Sequence, residues 1–337
     1  MATIQDVARA AGVSTATVSR VLSNPELVAE RTRARVLAAV EDLRYAPNVV
    51  AKMLRTLRTE KILVTVPDIS NPFFAHVIRG VEEAAYAAGY SVLLGDTRHQ
   101  PAREEQYAEM LRRKEADGLI FLGHRLPQAL RPMLASLGAK TPIVNGCEFS
   151  PELGVSSAHI DNEAAAAEAM EHLYELGHHR IGVITGELAS PISRDRLAGV
   201  HAAADRRGAA DGLRVATGDF SVESGLEQTG RLLDAAPRPT AVFCFSDEMA
   251  MGALEAFRRR GLRCPSDISL VGFDDIRFAP HMDPPLTTVR QPKENIGHEV
   301  VRLLLDILEG RTDAVQHVTL PHALVVREST APATAQA

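Results

Sequence analysis

Apolar positions recur with two different periods along this chain, and the change of period divides it. In residues 3–22 (TIQDVARAAGVSTATVSRVL) Ile4, Val7, Ala8 and Ala11 fall at i, i+3, i+4 and i+7, which predicts a short helix with one apolar stripe, capped by Thr3. Gly12 tolerates the positive φ of a sharp turn, Val13 points inward, and Ser14 caps a second helix that runs to Leu22. There Val18, Val21 and Leu22 bury together, leaving Thr15, Ala16, Ser19 and Arg20 on the opposite face. A third helix is predicted over 30–44, with Val36, Leu37, Val40 and Leu43 closing a three-helix unit, ended by Tyr45 and Pro47. Asn48 then caps a short segment, VVAKMLRTL. A helix below about 12 residues is marginal in water, so this segment is expected to order only with a partner.

From Lys61 short apolar runs alternate with helical stretches: KILVTV, a helix from FFAHVIRG, YSVLLGD, a helix to Lys114, and DGLIFLG. A second series starts near Asp161 and contains RIGVIT, LRVAT, TAVFCFS and DISLVGF, with helices between them. Continuous apolar strands alternating with helices predict parallel sheets covered on both faces. The predicted fold is an all-α helix-turn-helix head followed by an α/β core of two doubly wound parallel-sheet subdomains. A helix over 292–309 and a final strand over 317–326 cross back between the halves. The expected domains are a head (1–46), a hinge and linker (47–60), a first subdomain (61–160 with 291–318), a second (161–290 with 319–329), and a disordered tail (330–337).

Composition narrows the class. The 337 residues, 45% hydrophobic and 24% charged, suit a globular chain of two or three domains. No run approaches the roughly 18 apolar residues that would span a bilayer, and the polar start does not resemble a signal peptide, so a cytoplasmic protein with no membrane association is expected. Cys147, Cys244 and Cys264 are few, far apart and without metal-ligand spacing, which points to reduced thiols. The net charge is −6, yet residues 1–60 hold nine basic against six acidic residues, so only this end suits a polyanion.

Helix, glycine turn and a second helix with a small polar face form a helix-turn-helix, which places the second helix in a DNA major groove. Arg20 is then placed to fork onto guanine, and Thr15 to meet base edges or a phosphate, with Ala16 beside them; Ser14, Thr17 and Ser19 suit phosphates. In the core, open parallel sheets bind ligands beyond the carboxyl ends of their strands. Those ends supply Asn71, Phe73, Phe74, Asp96, Ile192, Arg196, Phe220, Asp247 and Asp274 as candidate ligand contacts. Carboxylates and arginines hold vicinal hydroxyls by paired hydrogen bonds, and phenylalanine stacks on a ring. Asp247 has an alternative role as a helix cap, and His178–His179 read as a helix end rather than a metal pair.

The run DVARAAGVSTATVSRVL resembles the N-terminus of the lactose/galactose repressor (LacI/GalR) family, and DISNPFF, GDFSVESG, SDEMAMGAL, GFDDI and PPLTTVRQP extend the resemblance over nearly the whole chain. It implies a homodimeric repressor with a core like a periplasmic sugar-binding protein, bound to a palindromic double-stranded operator and controlled by a small molecule. The segment from Tyr45 resembles the family's hinge helix, with Leu54 matching the minor-groove wedge and Arg55 the adjacent basic contact. VPDISNPFF, LLGDTRHQ, LGHRLP, EFSPEL and HIDN look closer to the family's cytidine branch than to its sugar or purine branches, which implies a nucleoside effector. Ser190 and Ile192 stand before Arg196 where the purine branch has an arginine and a threonine. A sugar effector is the alternative. By the same resemblance a neighbouring DNA-bound activator such as the cyclic AMP receptor protein is a candidate partner. An enzyme or solute-binding protein on the same core is the competing class, but no phosphate-binding glycine loop or nucleophile motif is present, so no catalytic residue, metal or cofactor is expected.

Overall fold

The computed structural model describes residues 2–46 and 57–333, in two compact units, Met1–Thr59 and Glu60–Ala337. In the first, α1 (Ile4–Ala11) begins at a reciprocal cap: Thr3 Oγ1 accepts from Asp6 N, and Asp6 Oδ2 accepts from Thr3 N at 2.9 Å. Gly12 ends the helix at φ 60°, a left-handed conformation that a side chain would strain. Ser14 starts α2 (Thr15–Ser23) by accepting from Thr17 N at 3.2 Å. Val7, Val18, Val21 and Val36 are fully buried where α1, α2 and α3 (Glu30–Asp42) meet.

Helix α3 differs from its sequence reading. It stops at Asp42, and Leu37 and Leu43 are 46% and 37% exposed. Val36, Ala39 and Val40 form the inward stripe; Leu37 lies about 100° round the helix from Val36, and Leu43 falls beyond the last helical residue.

The second unit contains two six-stranded sheets. Chain order runs β1 (Lys61–Val66), α4 (Pro72–Ala87), β2 (Ser91–Asp96), α5 (Pro101–Arg112), β3 (Gly118–Phe121), α6 (Arg131–Leu137), β4 (Ile143–Gly146) and β5 (Ser156–Ile160). It continues with α7 (Asn162–Glu175), β6 (Ile181–Thr185), α8 (Pro191–Arg207), β7 (Leu213–Thr217), α9 (Val222–Asp234), β8 (Ala241–Cys244), α10 (Asp247–Arg259) and β9 (Ser269–Asp274). The last elements are β10 (Thr287–Arg290), α11 (Lys293–Leu308), β11 (His317–Leu320) and β12 (Ala323–Val325). One sheet has the order β11-β5-β4-β3-β1-β2, all parallel; the other is β12-β10-β9-β8-β6-β7, parallel except for β12 against β10. Central strands such as β9 are buried along their whole length because helices cover both faces, which is why they read as unbroken apolar runs.

Three features depart from the sequence reading. Strands β4, β5 and β10 were not anticipated: at four or five residues, IVNG, SSAHI and TTVR carry too few apolar positions to show a period. The single strand expected over 317–326 is two strands, one in each sheet, split at Pro321, which has no N–H for a ladder. The chain therefore passes between the sheets after β5, after β10 and after β11. Finally, the tail expected to be disordered from 330 is ordered to 333. Ala331 N donates to Ser269 Oγ, Ala331 O accepts from His178 Nε2 at 2.9 Å, and Ala333 N donates to Leu176 O at 2.7 Å. Its small polar composition resembled a free tail, but its backbone groups pair with the second half. His178 is thereby a structural histidine, also paired through Nδ1 with Thr240.

Candidate nucleic-acid interface and ligand cleft

On α2 the burial of Val18 and Val21 turns Ser14, Thr15, Ala16 and Arg20 outward, with Thr17 and Ser19 partly exposed. Ser14 Oγ and Thr17 Oγ1 lie 2.9 Å apart, so two hydroxyls are held together at the helix start, where N–H groups and the helix dipole favour an anion. Among the described residues Arg20 has no hydrogen-bond or ion-pair partner, and its guanidinium is left to an external group. Leu54 and Arg55, assigned by resemblance to the hinge, lie outside the described residues.

In the core the decisive side chains gather beyond the strand ends. Arg196, on the second turn of α8, is 3% exposed. Its Nε donates to Asn162 Oδ1 at 2.9 Å, its Nη1 donates to Phe245 O, and Cζ sits 3.6 Å from the Phe273 ring centroid. Burial lowers its pKa to about 10 even though Asp274 and Glu148 lie nearby. Asp274 ends β9 at φ 113°, an outlier for a residue with a Cβ, and such strain concentrates at functional sites. Its Oδ1 accepts from Gln291 Nε2 at 2.7 Å and its backbone oxygen accepts from Lys293 Nζ. Burial raises the Asp274 carboxyl against the pull of Arg196 and Lys293.

Across the cleft stands Glu148, two residues beyond β4 and 7% exposed. Ser190 Oγ, at the cap of α8, donates to Glu148 Oε2 at 3.2 Å, a bond that joins the two halves, and His124 Nδ1 lies 3.9 Å from Oε1. Burial pushes the Glu148 carboxyl up to about 7. Glu248 is likewise pushed to about 7, first by burial and then by Asp68 and Asp274. The cleft is thus acidic on both sides of one buried arginine, which suits a ligand that offers hydrogen-bond donors.

Residues 3–48 match the model described as bacterial regulatory proteins, lacI family, and residues 170–330 match a periplasmic binding protein-like domain. The HTH-type transcriptional repressor CytR of Escherichia coli (strain K12) is 43% identical over 330 residues, covering 98% of this chain and 96% of that one. The chain belongs to the lacI family. The repressor PurR of Photobacterium profundum is 38% identical, with 98% of each chain covered. Among solved structures, the lac repressor dimer bound to operator and the anti-inducer ONPF superposes with a TM-score of 0.88 at 31% identity, covering 98% of this chain and 99% of that one. This lacI-family protein is accordingly a DNA-binding transcriptional repressor and not an enzyme.

The nine core residues selected from strand ends have different surroundings in the fold. Arg196 and Asp274 converge, Ile192 is half-buried on the first turn of α8, and Phe220, at φ 71°, lays its ring where a Cβ on Gly186 would stand. Asp247, expected as a ligand contact or a cap, is not the cap of α10. Ser246 caps α10, while the wholly buried Asp247 accepts from Thr288 Oγ1 at 2.6 Å and Ile276 N at 2.8 Å, so both oxygens fasten β10 and the loop after β9. Phe73 turns into the core of the first half, edge-on to the partly exposed Phe74, and Asn71 caps α4 by accepting from Phe73 N at 2.8 Å. Asp96 ends the outermost strand and pairs locally with Arg98 at 3.1 Å. Glu148, Asn162, Gln291 and Lys293 were missed. The strand-end rule would have flagged Glu148 had the four residues of β4 been legible as a strand.

Proposed function

We propose that this repressor works as a cytoplasmic homodimer that places two copies of α2 in successive major grooves of a palindromic operator, and that a nucleoside closing the core cleft releases it. The exposed Arg20 on the polar face of α2, without a partner among the described residues, carries the DNA reading. The similar lac repressor structure is a dimer bound to operator, which supports the paired arrangement. In the core, Arg196 and Asp274 hold the ligand's hydroxyls, and Phe220 stacks on its base. The halves 61–160 with 291–318 and 161–290 with 319–329 close as jaws, changing the spacing of the 47–60 segments that carry Leu54 and Arg55. A ligand shifts operator affinity only by its differential affinity for two core arrangements, typically about 1 to 3 kcal/mol of coupling.

A sugar is the second reading, favoured by the acidic lining of the cleft, which would accept hydroxyl donors equally well. Fluorescence anisotropy of a labelled palindromic duplex, titrated with the full chain and then with ribose, cytidine, uridine and adenosine, tests the proposal. Release by a pyrimidine nucleoside and not by ribose is expected. Release by ribose alone would establish the sugar reading instead.

A further inference from the structure

We infer that Glu148 reads the base of the effector, pairing its carboxyl with a ring nitrogen and an adjacent exocyclic amino group, and so selects an aminopyrimidine such as cytidine over its keto counterpart uridine. The inference rests on the nucleoside reading above and deepens it. Among the buried carboxylates of the cleft, Glu148 Oε1 and Asp274 Oδ2 have no hydrogen-bond partner among the described residues, and Asp274 is the one already assigned to the ligand's hydroxyls. Both oxygens of Asp247 are taken by Ile276 N and Thr288 Oγ1, and those of Asp275 by Arg290 and Arg327. Gln291 takes only Oδ1 of Asp274. Glu148 receives only the neutral hydroxyl of Ser190 on Oε2, while Oε1 stands 3.9 Å from His124 Nδ1, beyond hydrogen-bond length.

A carboxyl at such a site can share one proton with a base. Cytosine offers a ring-nitrogen acceptor beside an amino donor, so the pair forms two hydrogen bonds with the proton on either partner, and in one of these forms both partners are charged. Uracil offers an N–H beside a carbonyl. A neutral carboxyl can pair with that edge too, but against the ionised carboxylate its carbonyl lone pairs face a negative oxygen, and its ring nitrogen has no basic site to take the proton, so the preference is read where the free carboxyl is ionised. The surroundings favour proton sharing. Burial raises the carboxyl to about 7, Asp195 raises it further, and Ser190, Arg196 and Arg194 oppose the rise; His124 and the buried Cys147 thiol also stand beside it.

Isothermal titration of the full chain with cytidine, uridine and ribose, at about pH 8 in two buffers of different ionisation enthalpy, tests the assignment. Wild type should bind cytidine at least about tenfold tighter than uridine, with heats that differ between buffers because protons are taken up. Glu148→Gln keeps a donor and an acceptor but no titrating proton, and should bind the two nucleosides within about threefold and without proton uptake. Ser190→Ala, which retains the carboxyl, should keep the preference. Equal wild-type affinities, or a tenfold preference surviving in Glu148→Gln, would overturn the assignment alone. Binding of ribose with neither nucleoside bound would overturn the nucleoside reading and the assignment with it. Should Glu148→Gln fail to fold, buffer-independent cytidine heats in wild type suffice to reject the proposal.

Discussion

Arg20 and Arg196 are the same residue type on the outer turns of two helices, and they are placed in opposite ways. Arg20 stands exposed on α2 with no described partner. Arg196 is enclosed, with Nε and Nη1 donating to Asn162 and the Phe245 carbonyl and its face on Phe273. The first leaves its hydrogen bonds to be made by another molecule and contributes little to folding. The second is part of the folded core even though it borders the cleft, because burying a guanidinium requires that its donors and its charge be met. A recognition site on a helix face can therefore be emptied without unfolding the protein, whereas a site between two sheets is partly built from the contacts that hold the sheets.

The largest effect should come from removing that second arginine. Arg196→Ala leaves the Asn162 and Phe245 oxygens unmet and the Asp274 and Glu148 carboxyls without their buried cation. A loss of about 3 to 5 kcal/mol in the stability of the Glu60–Ala337 unit is expected by urea unfolding. Arg196→Lys should recover little of it, since an ammonium cannot reproduce the planar fork and the stacking. A loss below about 1 kcal/mol would break the contrast between the two arginines.

A smaller and purely external effect is expected at the head. Arg20→Ala should weaken operator binding by about 1 to 3 kcal/mol and relax preference at one position in each half-site, with the thermal midpoint unchanged. Equal weakening on random DNA would move Arg20 from base contact to phosphate contact.

The smallest effect concerns Glu148, whose carboxyl is raised in the folded state from 4.5 to about 7. A raised acid favours folding fully below the unfolded value, and that contribution is lost as pH rises through about 7. Wild-type stability should therefore fall between about pH 5 and pH 8 by roughly 1 to 2 kcal/mol more than that of Glu148→Gln. Parallel pH profiles for the two chains would show that the carboxyl is not held protonated.

The head and the cleft also differ in how far the sequence alone determined them. In the head, the cap at Thr3, the turn at Gly12, the cap at Ser14 and the outward face of α2 follow from residues within one or two turns of each other, so local periodicity was sufficient. The long apolar strands and the two-series order of the core were legible for the same reason. The short strands β4, β5 and β10 were not, because their burial is imposed by the strands on either side rather than by a pattern of their own. The cleft depended on tertiary structure. Glu148 meets Ser190 across 42 positions of sequence, Arg196 meets Phe245 across 49, and Asp247 meets Thr288 across 41. Strand ends marked Arg196, Asp247 and Asp274 as a set, but only the packing decided that Asp247 is spent inside the fold while Glu148 keeps a free oxygen. Whether a polar group serves folding or a ligand depends on which distant donors reach it first, and that is settled by how the two sheets come together.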